Sequence, residues 1–190
     1  MENKNEEKIE KKDSVWDLVK FAVIAFIIVM PIRMFIAQPF VVSGDSMYPT
    51  FHNGEYLIVD EISYLAGNPS RGDVAIFRYP NDTKRFFIKR IIGLPDEEIV
   101  ISGNQIKIIN KENPEGFTLV EPYINENFDF SGKYKTNDKE YFVLGDNRNK
   151  SSDSRFWGTL PEKLLVGRAY LRLLPFKGIS FLPGAYEEEK

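Results

Sequence analysis

Three segments of this chain carry side chains that could do chemistry together. The first is SGDSMYPT at residues 43–50. Gly44 permits an unusual bend just before Ser46, and Pro49 stiffens the exit from it. A serine held in such a bend can offer both its hydroxyl and its own backbone N–H to a carbonyl carbon and oxygen, which is the start of a nucleophilic acyl transfer. The same composition also makes an ordinary linker. A serine nucleophile needs a base. His52, the sole histidine, lies six residues further on, with no obvious carboxylate to orient it; it reads more simply as a surface turn residue. The other candidate is Lys89. If residues 85–92 form a strand, Phe87, Lys89 and Ile91 share a face. Turned inward, that face desolvates the ammonium, lowers its pKa and makes a neutral amine able to take a serine proton. Turned outward, it leaves an ordinary solvated lysine. The sequence leaves both placements open.

The third segment, GDNRNKSSDSR at residues 145–155, packs two acids, two arginines, a lysine and three serines behind the apolar run 141–144 and before Phe156 and Trp157. That flanking suggests a polar loop tucked against the core, where aspartates and arginines hold one another and the backbone.

Composition removes several alternatives. With no cysteine, thiolate metal sites, iron–sulfur clusters, disulfides and cysteine nucleophiles are excluded. One histidine leaves no multi-histidine metal site, and nothing in the sequence calls for a metal or an organic cofactor. A formal charge of −3 lacks the basic surplus of a nucleic-acid binder. At 190 residues and 43% apolar content, the chain has the length of one domain and enough material for a core.

The elements that must position these residues divide in two. Residues 1–13 are charged and without apolar period, and read as a solvated tail. An apolar stretch follows over 15–36, with Lys20 and Arg33 flanking a charge-free heart at 21–32. With the snorkelling of those two cations it predicts one transmembrane helix over 14–36. No small-x-small cleavage site follows, so the reading is an uncleaved anchor rather than a removed signal. Lys4, Lys8, Lys11 and Lys12 precede it, and after Arg33 no lysine or arginine occurs before Arg71. The positive-inside rule then predicts a cytoplasmic N-terminus, a cell-membrane location and an extracytoplasmic domain over 37–190. That domain reads as strands near 40–42, 55–60, 73–79, 86–92, 141–144 and 164–174, with a hairpin over 98–109 turning at Gly103-Asn104. Residues 110–138 look like an insertion or a long surface loop. The expected fold is mainly β and antiparallel.

Taken together, the segments resemble the bacterial type I signal peptidases, most nearly their Gram-positive-like subgroup. The short tail, single apolar stretch and SGDSMYPT are similar to that family's N-terminal layout. RGDV at 71–74, IKRIIGLP at 88–95 and GDNRNKSSDSR at 145–155 are similar to its further boxes, in the same order. The resemblance implies an antiparallel β catalytic core with a small β insertion, here 97–140, and a serine–lysine dyad without metal or cofactor. Ser46 would be the nucleophile, Lys89 the general base, and Ser151 the residue that orients the amine. Asp153 with Arg155, and Asp146 with Arg90 or Arg148, would be structural ion pairs beside the site. The implied partners are secretory preproteins, cleaved after small residues at −1 and −3, together with membrane lipid; no nucleic acid is implied, and the oligomeric state is left open.

Two departures stand out. Pro95 is followed by Asp96-Glu97 where the family often has Gly-Asp, which touches a turn. Gly44 occupies the place, two residues before the nucleophile, where some relatives carry a serine oxyanion donor. The oxyanion candidates here are the Ser46 backbone N–H, the Ser43 hydroxyl and a backbone N–H at Gly44. A rival reading of the same segments is an anchored, inactive β module that binds translocated chains.

Overall fold

The computed structural model describes residues 3–31 and 37–185, with the side chains of 15–30 and 38–185. Two compact units divide the chain, Met1–Ala37 and Gln38–Lys190. In the first, the backbone is helical over Asn3–Pro31 (α1). Among the described residues, no helix is long and apolar enough to cross a membrane. This overturns the anchor expected over 14–36. Asp17 and Lys20, paired at 3.2 Å, interrupt the apolar stretch, and α1 ends at Pro31. The uncharged run of described side chains left, 21–30, would rise only about 15 Å against a hydrocarbon core of about 30 Å. Residues 32–36, the end of the expected span, lie outside the described residues. The membrane location, the orientation and the lipid partner lose the observation on which they rested.

The second unit bears out a mainly β, antiparallel architecture. Its strands are β1 (Ala37–Val41), β2 (Tyr56–Asp60), β3 (Val74–Tyr79), β4 (Asp82–Gly93), β5 (Glu98–Ser102), β6 (Gln105–Ile109), β7 (Phe117–Thr118), β8 (Ser131–Lys135), β9 (Glu140–Leu144), β10 (Leu160–Pro161), β11 (Leu165–Leu174) and β12 (Ser180–Phe181). Short helices α2 (Ile62–Ala66) and α3 (Ser154–Trp157) interrupt them. The larger sheet runs β1-β2-β11-β3-β4-β9-β10, with β12 beside β11; the smaller runs β7-β6-β5-β8.

β4 is the strand that matters most. It pairs with β3 from Tyr79↔Asp82 to Val74↔Arg90, while β9 joins its other edge only from Arg90 onward. Over residues 82–89 no strand among the described residues pairs with that second edge. Alternation along β4 sends Ile91, with Phe87 packed alongside, into a cluster containing Phe77, Tyr141 and Val143. A second cluster, containing Val42, Met47, Phe51, Leu57 and Ile76, lies under the start of the SGDSMYPT segment. A third, rich in isoleucine, fills the smaller sheet. Residues 110–138, expected as an insertion or a long surface loop, contain β7 and β8, both strands of that smaller sheet.

Candidate active site

The nucleophile candidate sits in a turn that two buried neighbours hold. Met47 and Phe51 are 1% and 0% exposed, so their side chains pin the segment to the core. Gly44 has φ +87, a conformation costly for any residue with a Cβ. Its N–H donates to Asn53 Oδ1 at 2.9 Å. That removes the Gly44 N–H from the oxyanion candidates, because it is already engaged. The Ser46 N–H has no partner among the described residues, and Ser43 lines the same cleft as Ser46. The Ser46 carbonyl accepts from the Asn147 N–H at 3.0 Å, which ties the turn to the third polar segment.

Lys89 reaches Ser46 from β4. Its Nζ donates to Ser46 Oγ at 2.7 Å and to the Ile88 carbonyl at 2.8 Å. The residue is 4% exposed, so the inward placement is the one adopted. Burial pushes its pKa down to about 8, against the opposing pull of the Asp153 and Asp146 charges. Ser151, expected to orient the amine, does not bond it. The amine's two acceptors are Ser46 Oγ and the Ile88 carbonyl, and Ser151 Oγ is buried without a hydrogen-bond partner. Both serines crowd Gly145, where a Cβ would lie 2.2 Å from Ser151 Oγ and 2.4 Å from the Ser46 carbonyl oxygen. Only glycine fits this close approach.

Buried ion pairs surround the two residues. Asp146 takes Arg90 Nε at 2.9 Å and Nη2 at 2.6 Å, and also the Thr50 hydroxyl at 2.5 Å. Of the two arginines expected beside Asp146, Arg90 is therefore its partner. Arg148 turns away to Glu121, because its guanidinium points into the loop between β7 and β8. Asp153 accepts from Arg155 Nε at 2.8 Å and from the Gly145 N–H at 3.1 Å. Glu121, Thr50 and Asn53 are functional neighbours that sequence reasoning missed. Glu121 is 27 positions from its partner and Thr50 is 96 from its own, separations at which no local spacing gives a signal.

His52 is exposed, with its ring edge-on to Tyr48 at 5.2 Å, and makes no hydrogen bond to a carboxylate among the described residues. His52→Ala should keep the rate of any Ser46-dependent acyl transfer within about tenfold. A loss of about 10³-fold with the fold intact, on purified protein, would favour histidine as the base.

A cleft of about 520 Å³ opens beside Ser46 and Lys89. Its walls are the β1 segment on one side and the open edge of β4, from Arg85 to Lys89, on the other. Among the described residues no group of three or more acidic or histidine side chains is placed to hold a metal. The arrangement offers a serine hydroxyl, an amine of lowered pKa and a free backbone N–H at one end of an apolar groove.

Residues 15–174 match the family described as signal peptidase, peptidase S26. The chain is also 37% identical, over 99% of its length and 88% of the relative's, to a probable signal peptidase I-2 of Synechocystis sp.. The chain belongs to the signal peptidase I family. It is similar as well to signal peptidase I S of Bacillus subtilis, with 36% identity over 90% of this chain and 95% of that one. Signal peptidase I of Leptolyngbya laminosa shares 36% identity over 86% and 82%. A signal peptidase I is a serine endopeptidase.

Proposed function

We propose that the peptidase removes signal peptides from secretory preproteins by a serine–lysine dyad, with Ser46 as nucleophile and Lys89 as general base. The observation that carries this reading is the 2.7 Å hydrogen bond between Lys89 Nζ and Ser46 Oγ. In the neutral state, the amine takes the serine proton as Oγ attacks the scissile carbonyl carbon. The ammonium so formed protonates the leaving amine. In the second half the same amine deprotonates a water that hydrolyses the acyl-enzyme. The Ser46 N–H is the first oxyanion donor. Residues 37–190 form the catalytic domain and 97–140 its insertion.

The open edge of β4 supports an extended substrate that adds as a strand across the cleft. In a strand, side chains two apart share a face, so −1 and −3 point together toward the apolar wall of Val42, Leu57, Ile76 and Ile88. A preprotein with alanine at both positions should be cut, and phenylalanine at either should lower kcat/KM by about 10²-fold or more. Equal cleavage of all variants, measured by product mass, would remove the pocket argument.

The pH dependence follows from the sign of the Lys89 shift. A general base works deprotonated, so kcat/KM should rise with pH and level off above about 8, well below the ordinary lysine range near ~10.4. A rate still climbing through pH 10 would show an amine whose pKa is not lowered.

A further inference from the structure

Outside the family's boxes, one acid reaches into the site from the smaller sheet's side of the domain. Glu121 lies after β7, in the stretch between the strands of the smaller sheet. Its side chain is 8% exposed and that of its partner Arg148 is 1% exposed. The pair is bidentate, with Arg148 Nη1 donating to Oε2 at 3.0 Å and Nη2 donating to Oε1. The Tyr123 hydroxyl donates to the same Oε1 at 2.8 Å, while the Tyr123 ring lies 3.8 Å from the Arg90 guanidinium. Arg148 does not end there. Its Nε donates to the Gly145 carbonyl at 3.0 Å, and its own carbonyl accepts from Arg155 Nη2 at 2.6 Å. Gly145 is the residue packed on Ser151 Oγ and the Ser46 carbonyl, and the next residue but one, Asn147, donates its N–H to that carbonyl.

We propose that Glu121 is a positioning residue: through Arg148 it fixes the turn at 145–147 against which the Ser46 peptide is held. The inference rests on the dyad reading, since it gives Ser46 something to be positioned for. A planar guanidinium bonded on three nitrogens has one orientation, and Glu121 supplies two of those three bonds. Without it, Arg148 is left as a buried cation and must turn toward solvent, releasing the Gly145 carbonyl. The Ser46 carbonyl then loses the rigid surface behind it. A displacement of Oγ by about 1 Å relative to the scissile carbonyl is enough to cost on the order of 10²-fold in rate. Glu121, Arg148, Gly145 and Asn147 are absent from the cleft lining, to which the 145–155 segment contributes Lys150 and Ser152; the apolar wall of Val42, Leu57, Ile76 and Ile88 is untouched, so the loss falls on kcat more than on KM.

The test compares Glu121→Gln with wild type on one preprotein, using full-length protein of verified fold. Glu121→Gln should lower kcat by about 10- to 100-fold with KM within about twofold. Hydrogen exchange at the Asn147 amide should speed up in the same variant. Glu126→Gln, an exposed acid of the same loop, serves as the unchanged control. Tyr123→Phe keeps the ring over Arg90 and removes the hydroxyl bond to Glu121. It should lower kcat severalfold, and it decides the matter if Glu121→Gln fails to fold. A wild-type kcat in Glu121→Gln, or in Tyr123→Phe where only that variant folds, overturns the proposal; so does a raised KM at unchanged kcat. Ser46→Ala assayed alongside separates the two readings. If it is inactive while Glu121→Gln is normal, only the positioning role fails; if it still cleaves, the dyad fails first.

Discussion

Lys89→Arg should abolish preprotein cleavage, with kcat falling by at least about 10³-fold, and Ser46→Ala should do the same. The two substitutions fail for different reasons. Serine removal takes away the bond-forming oxygen. Arginine keeps positive charge and length but never deprotonates, so it has no lone pair for the Ser46 proton. Lys89→Ala adds a third case, in which the hydroxyl is present and its only amine contact, at 2.7 Å, is gone. Ser46→Ala and Lys89→Ala should melt close to wild type, since Ser46 is only partly buried and removing Lys89 relieves a desolvated amine; Lys89→Arg, which puts a larger and permanently charged group in the same buried place, should melt lower. Retention of more than about a tenth of the wild-type rate by any one of them, on purified protein, would end the dyad reading.

What could be read in the sequence depended on how local its cause was. Strand β3 and the β5–β6 hairpin were legible because alternation and turn residues act over a few positions. β8 was not, because SGKYK alternates exposed and half-buried positions at the sheet's edge and buries little. β4 begins earlier than its apolar residues suggest: Asp82 to Arg85 are exposed, and their strand geometry comes from pairing with β3 rather than from burial. Ser46 and Lys89 could be picked out, yet which face Lys89 took was undecidable until β3 and β9 closed around it. Ser151 shows the limit in the other direction: it packs on Gly145 beside the Ser46 carbonyl, and its hydroxyl makes no bond to the amine. The apolar letters over 15–36 run across Asp17 and Lys20, and the helix that the described residues form falls short of a span.

Arg90→Ala should lower stability by about 3–5 kcal/mol, the usual cost of stripping one partner from a buried ion pair. For a domain of this size that is a fall in Tm of roughly 6–20 °C. Both side chains of the Arg90–Asp146 pair are 0% exposed, so the aspartate left behind has no water to turn to. Burial alone would pull the Arg90 guanidinium's pKa down; the hydrogen bonds and charge of Asp146 outweigh it and hold it above its ordinary value. The pair also sets a distance. Asp146 accepts from Arg90, the neighbour of Lys89 on β4, with both oxygens, and its Oδ2 also accepts from the hydroxyl of Thr50, four residues after Ser46. One carboxylate therefore ties the strand of the base to the turn of the nucleophile. Stability and activity should separate accordingly. The double replacement Arg90→Leu with Asp146→Leu removes both charges, and should recover much of the lost Tm, because an apolar pair avoids the desolvation that the ion pair must offset. It should not recover cleavage, because the tie between β4 and the Ser46 turn is gone. Thr50→Val removes the hydroxyl bond alone, and should cost about 1 kcal/mol with a severalfold loss in kcat. Thermal melts and kcat on the same preparations test the argument. Full activity in the double variant would mean that packing, not Asp146, holds Lys89 against Ser46.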